Sequence, residues 1–199
     1  MRIFVGLITT PIATDRQMAL LNDFERAVDF SFWREICETQ GTLRRYRRGE
    51  YFVREGDVLR FCGWIKSGGF KHTLIDGDGN RKTVGFVFEN SVLANYVSGF
   101  LGRRMPTDII ALKSSDVYVV PTSIIKERLE SDPKLNLKLV QSLFEQSYRT
   151  MLDSYRISAY DSYMRLTSRC PRIFELVPLN EIASYLNISL RQLHRFRKS

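Results

Sequence analysis

The stretch Val177-Pro-Leu-Asn-Glu-Ile-Ala-Ser-Tyr-Leu-Asn-Ile-Ser-Leu-Arg-Gln-Leu-His-Arg-Phe-Arg-Lys-Ser199 reads as two short helices joined by a tight turn. Ile182, Ala183 and Leu186 fall at helical spacing on the first helix. Asn187 stands where the chain must turn, and Asn tolerates a left-handed backbone better than any residue except Gly. Ser189 suits the N-cap of the second helix, because its hydroxyl can satisfy an orphan amide there. That helix keeps Leu193 and Phe196 for a core and turns Arg191, Gln192, His194, Arg195, Arg197 and Lys198 outward. A residue as small as Ala183 lets two helices cross closely, as a helix-turn-helix must to push its second helix into the major groove of DNA. Arg and Gln carry the bidentate geometry for G and A edges. A solvated basic helix is the plainer reading, but cap, turn, small residue and reading face coincide here. Ser189, Arg191, Gln192, His194, Arg195, Arg197 and Lys198 are therefore the expected DNA-binding residues. Arg191, Gln192 and Arg195 are assigned to base edges; Arg197 and Lys198 to the phosphate backbone.

The charge of the chain agrees with this reading. Of a net +8, residues 165–199 carry seven Arg/Lys against two Glu, on a body that is nearly neutral. A basic end is what a module that meets phosphates needs. Hydrophobic residues make up 44% of the 199, enough for a real core. The length suits one domain, or a medium domain with a small appendage. Cys37, Cys62 and Cys170 are widely spaced and form no CxxC pair, so neither a zinc site nor a cysteine-ligated cluster is supported. Reduced thiols in a cytoplasm account for them. The apolar run Arg2–Ile8 is too short to span a membrane. Residues 1–17 read as a strand-like or loose extension, with Met18 a candidate natural start.

Upstream of the helical end the chain changes character twice. Leu20, Leu21, Phe24, Ala27, Val28, Phe32 and Ile36 recur at helical spacing. From about Gly41 to Pro121, short β-branched and aromatic runs alternate with Gly, Asp and Asn clusters. Strand-sized pieces there are Tyr51–Arg54, Phe61–Ile65, Phe70–Ile75, Thr83–Phe88, Ile109–Leu112 and Val117–Val120. Such spacing predicts an antiparallel barrel or double-sheet roll. Ile124, Ile125 and Leu129 then mark a short helix stopping near Asp132-Pro133. Leu137, Val140, Phe144, Tyr148, Met151, Tyr155 and Ala159 continue as one long helix. Its apolar face is hard to bury on one small barrel, which predicts pairing with a second copy.

The order helix, β-roll with spaced glycines, long helix and helix-turn-helix resembles the cyclic-AMP receptor protein/FNR family of bacterial transcription regulators. The resemblance covers Leu20 to Ser199 and rests on three motifs in order. Arg48-Gly-Glu-Tyr-Phe-Val-Arg-Glu-Gly-Asp57 is similar to the family's first roll turn, and Ile65-Lys-Ser-Gly-Gly-Phe70 to the next. Glu181-Ile-Ala-Ser-Tyr-Leu-Asn-Ile-Ser189 is similar to the first helix and turn of its DNA-binding unit, and looks most like Bacteroides-type members. The resemblance implies an α+β fold: an antiparallel β-roll (a double-stranded β-helix like that of cyclic-nucleotide-binding domains), a long dimerisation helix and a C-terminal helix-turn-helix. The boundaries are a sensor region over 1–133, the dimerisation helix over 134–164 and the DNA-binding region over 165–199.

In nucleotide-binding members a cassette supplies a short helix N-terminus, a Gly-Glu pair for the ribose and an Arg-Ser pair for the phosphate. A cyclic phosphate is an anion, so a buried Arg and free amides neutralise it. Counting back from Ala111, Ala94-Asn95 stands where Gly-Glu is expected and Met105-Pro106 where Arg-Ser is expected. The carboxylate and the phosphate-pairing arginine are both missing, unless Arg103 or Arg104 substitutes. Ala94, Asn95, Tyr96, Arg103, Arg104, Met105 and Thr107 are the candidate effector-pocket residues, with cyclic AMP not expected as the effector. The recognition helix departs too: Arg195 matches the family's reading arginine, but Arg191 replaces its acid. A different half-site is implied.

The function expected is a sequence-specific, cytoplasmic transcription regulator that binds double-stranded DNA as a homodimer. An unknown small-molecule effector is allowed for, and RNA polymerase is a partner if the protein activates. No cofactor, metal or membrane is called for. His72 and His194 are the only histidines and neither has a nucleophile or acid partner nearby in sequence, so an enzyme is not expected. His72 reads as a strand surface residue and a poor lone haem ligand. One alternative is a small-molecule-binding roll whose terminal helices only dimerise it. Another is a cupin-like enzyme, which would need a His/Glu metal cluster that the sequence lacks.

Overall fold

Short polar turns at Arg47–Glu50, Arg54–Asp57, Gly68 and Asp76–Asn80 fold the middle of the chain into antiparallel strands. The structure, a computed structural model, describes residue 22 and residues 24–198, the side chain of residue 26 excepted. The extension expected over residues 1–17 lies outside the described residues. One sheet contains β1 (Thr42–Tyr46), β3 (Phe61–Ser67), β6 (Val92–Leu93) and β8 (Ser115–Pro121), in the order β1-β8-β3-β6. The other contains β2 (Tyr51–Val53), β4 (Gly69–Ile75), β5 (Arg81–Phe88) and β7 (Asp108–Ala111), in the order β2-β7-β4-β5. Two strands escaped the sequence reading. β1 is an edge strand whose Arg44 and Arg45 are exposed, so it carries no apolar alternation, and β6 is two residues long.

The sheets enclose Leu59, Ile65, Phe70, Val87, Leu93, Met105, Ile109, Ala111, Val117 and Val119. β3 is buried on both faces, which is why it reads as a continuous run rather than an alternating one. Ile65 points into the roll, while Cys62 and Trp64 meet a second core built on helices. That core joins α2 (Ser31–Gln40) to α4 (Thr122–Glu130), and Trp33 of α2 donates from Nε1 to the Gly63 carbonyl at 3.2 Å. A four-residue α1 (Phe24–Ala27) precedes α2, and α3 (Tyr96–Leu101) lies between β6 and β7. Cys37, Cys62 and Cys170 are free thiols, all buried, and burial pushes each pKa upward, so they are uncharged.

Asp132 caps α5 (Pro133–Arg156) by accepting from the Leu135 amide at 3.1 Å, with Pro133 in the first turn, where its missing N–H costs nothing. The helix expected over Leu137–Ala159 stops earlier. Ile157 is extended, and Ser158 opens α6 (Ala159–Arg169) through a reciprocal cap with Asp161. The apolar stripe runs on across this break, so periodicity alone could not reveal it, whereas Ser158-x-x-Asp161 is a local start signal. Three short helices follow, α7 (Ile173–Leu176), α8 (Leu179–Tyr185) and α9 (Leu190–Phe196).

Gly68 makes the tight corner between β3 and β4 at φ +97°, where a Cβ would stand 2.2 Å from Ser115 Oγ. That hydroxyl is engaged, accepting from the Gly69 amide at 3.0 Å and donating to the Lys113 carbonyl at 2.9 Å. Gly79, at φ +81°, faces open space. Gly68→Ala is expected to cost more than ~2 kcal/mol, because left-handed strain of ~1–2 kcal/mol adds to the collision. Gly79→Ala should cost only the strain, and urea unfolding of the two variants measures the difference.

Candidate nucleic-acid interface and roll cassette

Pro178 precedes α8, and Ile182 and Ala183 of α8 are buried together with Leu193 of α9. The link between the helices is set by backbone bonds. Leu186 donates to Ile182 at 3.0 Å, and Ile188 donates to Ala183 at 3.0 Å. Asn187 adopts φ +52°, the left-handed turn its residue type favours. Ser189 then caps α9 in a reciprocal box with Gln192: the Gln192 amide donates to Ser189 Oγ at 3.2 Å, and Gln192 Oε1 accepts from the Ser189 amide at 2.9 Å.

Of the seven residues assigned to this interface, four share one exposed face. Arg191, His194, Arg195 and Lys198 stand at i, i+3, i+4 and i+7, opposite buried Leu193 and half-buried Phe196. The Arg195 guanidinium lies 5.9 Å from the Phe196 ring. The other three are occupied elsewhere. Arg197 folds back with its guanidinium 4.7 Å over the Phe174 ring of α7, while Ser189 and Gln192 are committed to the cap.

The helix pair is gripped by the roll through α8, leaving the α9 face open. β5 is an edge strand, and its Thr83 amide donates to Ser184 Oγ of α8 at 3.0 Å. Thr83 Oγ1 donates to Glu181 at 2.6 Å, and Lys71 Nζ meets the other Glu181 oxygen at 2.5 Å. Burial works to raise the Glu181 carboxyl, but these two hydrogen bonds and the charges of Lys71 and Arg48 hold it below its ordinary value. Tyr185 packs on Phe86 with ring centroids 5.2 Å apart. Beneath lies a shared core of Phe86, Phe88 and Leu112 from the roll with Tyr163, Leu166, Ile173, Val177 and Ile182. Glu181 and Ser184 carry no sequence signal for this role beyond their place on an amphipathic helix. Next to the grip, a cleft of about 670 Å³ opens between the β4–β5 hairpin, the α5–α6 elbow and α8.

The cassette residues are dispersed rather than gathered. Asn95 caps α3, its side-chain oxygen accepting from the Ser98 amide at 2.9 Å, so it fills the place an anion would take at that helix end. Tyr96 donates to Asn136 of α5 at 2.9 Å. Met105 is 2% exposed in the roll core, and Ala94 packs against the helical core. Arg103 and Arg104 are exposed, Arg104 donating to the Gly56 carbonyl at 2.8 Å. Thr107 touches His72, with Oγ1 3.4 Å from Nδ1. His72 is half-buried rather than a surface residue, and burial pushes its pKa down to about 4, so the ring is neutral near pH 7. Among the described residues no cluster of three or more His, Cys, Asp or Glu is placed to hold a metal, and no helix is long and apolar enough to cross a membrane.

Helix α5 presents its own feature, a large exposed apolar face. Phe144 is 67% exposed and Tyr155 86%, with Leu137, Tyr148 and Met151 also exposed along the same side. The Phe144 and Tyr148 rings stack at 6.0 Å. By contrast Leu139 is buried and Leu143 packs against the helical core, so α5 has one satisfied face and one unsatisfied.

Residues 43–132 match the cyclic nucleotide-binding domain, whose bounds take in the roll together with α4. No curated protein matches the chain by sequence. Among solved structures the chain is similar to FixK2 from Bradyrhizobium japonicum, with 17% identity, a TM-score of 0.65, and 79% of this chain and 83% of that one covered. It is also similar to the c-di-GMP responsive global regulator CLP of Xanthomonas campestris, at 14% identity and a TM-score of 0.62, covering 85% of this chain and 90% of that one. The catabolite activator protein of Thermus thermophilus gives 12% identity and a TM-score of 0.53, with 82% and 80% covered. Residues 43–132 thus resemble a cyclic nucleotide-binding domain, and the fold of the chain is similar to that of these proteins.

Proposed function

We propose that this protein is a sequence-specific DNA-binding transcription regulator of the CRP/FNR type, acting as a homodimer in the cytoplasm and not responding to cyclic AMP. One observation carries the reading. Arg191, His194, Arg195 and Lys198 form an exposed cationic stripe on a short helix whose opposite face is buried against a second helix across a left-handed turn. That is the geometry that fits a major groove, with arginines suited to guanine edges. Fold relatives that are by name a global regulator and an activator support regulation over catalysis. The division of labour is a sensor region over 1–133, a dimerisation region over 134–164 and a DNA-binding region over 165–199, with RNA polymerase a partner if the protein activates. The compact Ile182–Ser189 ending is that of a Bacteroides-type member. Retardation of genomic fragments by the purified protein tests the reading; a chain that retards none is the small-molecule module instead.

The dimer seam is assigned to α5, because two-fold operators need two-fold proteins and its apolar residues Leu137, Phe144, Tyr148, Met151 and Tyr155 are exposed. Replacing Phe144 and Met151 with Asp should give monomers by sedimentation, and an unchanged dimer mass would count against the seam. The cassette argues against cyclic AMP: Asn95 caps its own helix and Met105 is a core residue. Loss of the charge-assisted phosphate contact removes ~1.5–3 kcal/mol, more than tenfold in affinity. Calorimetric titration with cyclic AMP should therefore find no micromolar site. Within the stripe, Arg195→Ala should cost ~1–3 kcal/mol and relax preference at one base pair, whereas Lys198→Ala should weaken specific and random duplexes alike. Equal losses for Arg195→Ala on both duplexes, at fixed salt, would make Arg195 a backbone anchor.

A further inference from the structure

Gln192 has the side chain best suited to reading adenine, and its position next to Arg191 invites that assignment. Its hydrogen bonds argue otherwise. Gln192 Oε1 accepts from the Ser189 amide at 2.9 Å and from Ser189 Oγ at 2.9 Å. The identity of the oxygen is secure, because a backbone amide only donates and the atom facing it must accept. A carbonyl oxygen has two lone pairs, and both are used. A bidentate contact to adenine needs that same oxygen to accept from the base while the nitrogen donates. The Ser189 hydroxyl is equally occupied, donating to Gln192 Oε1 and accepting from the Gln192 amide at 3.2 Å.

On the wheel of α9, Gln192 also stands at the margin of the cationic stripe rather than within it, about 100° from Arg191. We infer that Ser189 and Gln192 are positioning residues that fix the start and aim of α9, and that the base sequence is read by Arg191, His194 and Arg195. The inference rests on the DNA-binding reading above and deepens it. The DNA recognised is then a half-site whose preferences come from guanine contacts of the two arginines, with no adenine specified through Gln192. Arg191 and Arg195 are one turn apart, roughly 6 Å along the helix, close to two base-pair steps of about 3.4 Å.

Selection from a random DNA pool with the full chain tests this, using wild type, Gln192→Ala, Gln192→Glu and Arg191→Ala. Glutamate keeps the reciprocal cap, since its carboxylate accepts from the same two donors. The expected result is one half-site for wild type and both Gln192 variants. Gln192→Ala should lower the melting temperature and bind every duplex more weakly by a common factor of about two to ten, and Gln192→Glu should regain the melting temperature. Arg191→Ala should lose preference at one base pair. A preference altered at a single base pair in either Gln192 variant overturns the inference, and so does an unaltered half-site in Arg191→Ala. If Gln192→Ala does not fold, Gln192→Glu decides alone. A wild type that selects no sequence overturns the DNA-binding reading itself, a failure distinct from the others.

Discussion

The arrangement of this molecule depends on an edge strand closed by a helix. β5 is the edge of its sheet, and α8 packs along it, accepting from the Thr83 amide through Ser184 while Glu181 accepts from the Thr83 hydroxyl and Lys71. An uncovered edge is an invitation to pair with another chain, so the cover has a structural purpose of its own. The helices after α5 are too few to bury a core alone. They borrow Phe86, Phe88 and Leu112 from the roll, and that shared core is where the stability of the docked unit resides. The Lys71–Glu181 pair adds direction more than strength: desolvating two charges offsets much of their attraction, but a misaligned α8 would leave both buried without a partner. With α8 held by the roll, Arg191, His194, Arg195 and Lys198 of α9 are exposed.

The same economy governs the other end of the roll. β3 and β8 serve two cores at once, facing the interior through Ile65, Val117 and Val119 and facing α2 and α4 through Cys62, Trp64 and Val120. α5 is laid on that second core by Leu139 and Leu143, which turns Phe144, Tyr148 and Met151 to the opposite side. The exposed apolar face of α5 is therefore a consequence of how the roll is packed. The cassette follows a similar logic. Asn95 caps its own helix and Met105 lies in the core, so both help to stabilise the loop between β6 and β7 from within.

Much of the fold was legible because its signals are short-range. Six strands, the short helix before Asp132, the turn at Asn187 and the cap at Ser189 are written in neighbouring residues. β1 was missed because an exposed edge strand needs no apolar face, and Arg44 and Arg45 look like a loop. The end of α5 was missed because its stripe continues into α6, although the Ser158–Asp161 cap was there to be read. The site was legible by residue type but not by commitment. Gln192 was assigned to base edges by its residue type, and composition cannot tell that its side chain closes the cap with Ser189. The contact of Arg197 with the Phe174 ring was likewise invisible in the sequence.

By itself, the sequence determined which segments are strands and helices, where the last turn falls, and that the final helix is cationic on one side. These follow from propensity, periodicity and capping, which act over a few residues. Only the tertiary structure decided that α8 closes the edge of β5, with Lys71 and Glu181 meeting across 110 residues of chain. Only it decided that Met105 serves the roll core, that Asn95 caps its own helix and that one apolar face of α5 is exposed. Contacts of that kind are chosen by which surfaces remain after the local elements have formed, and no neighbouring residue encodes them.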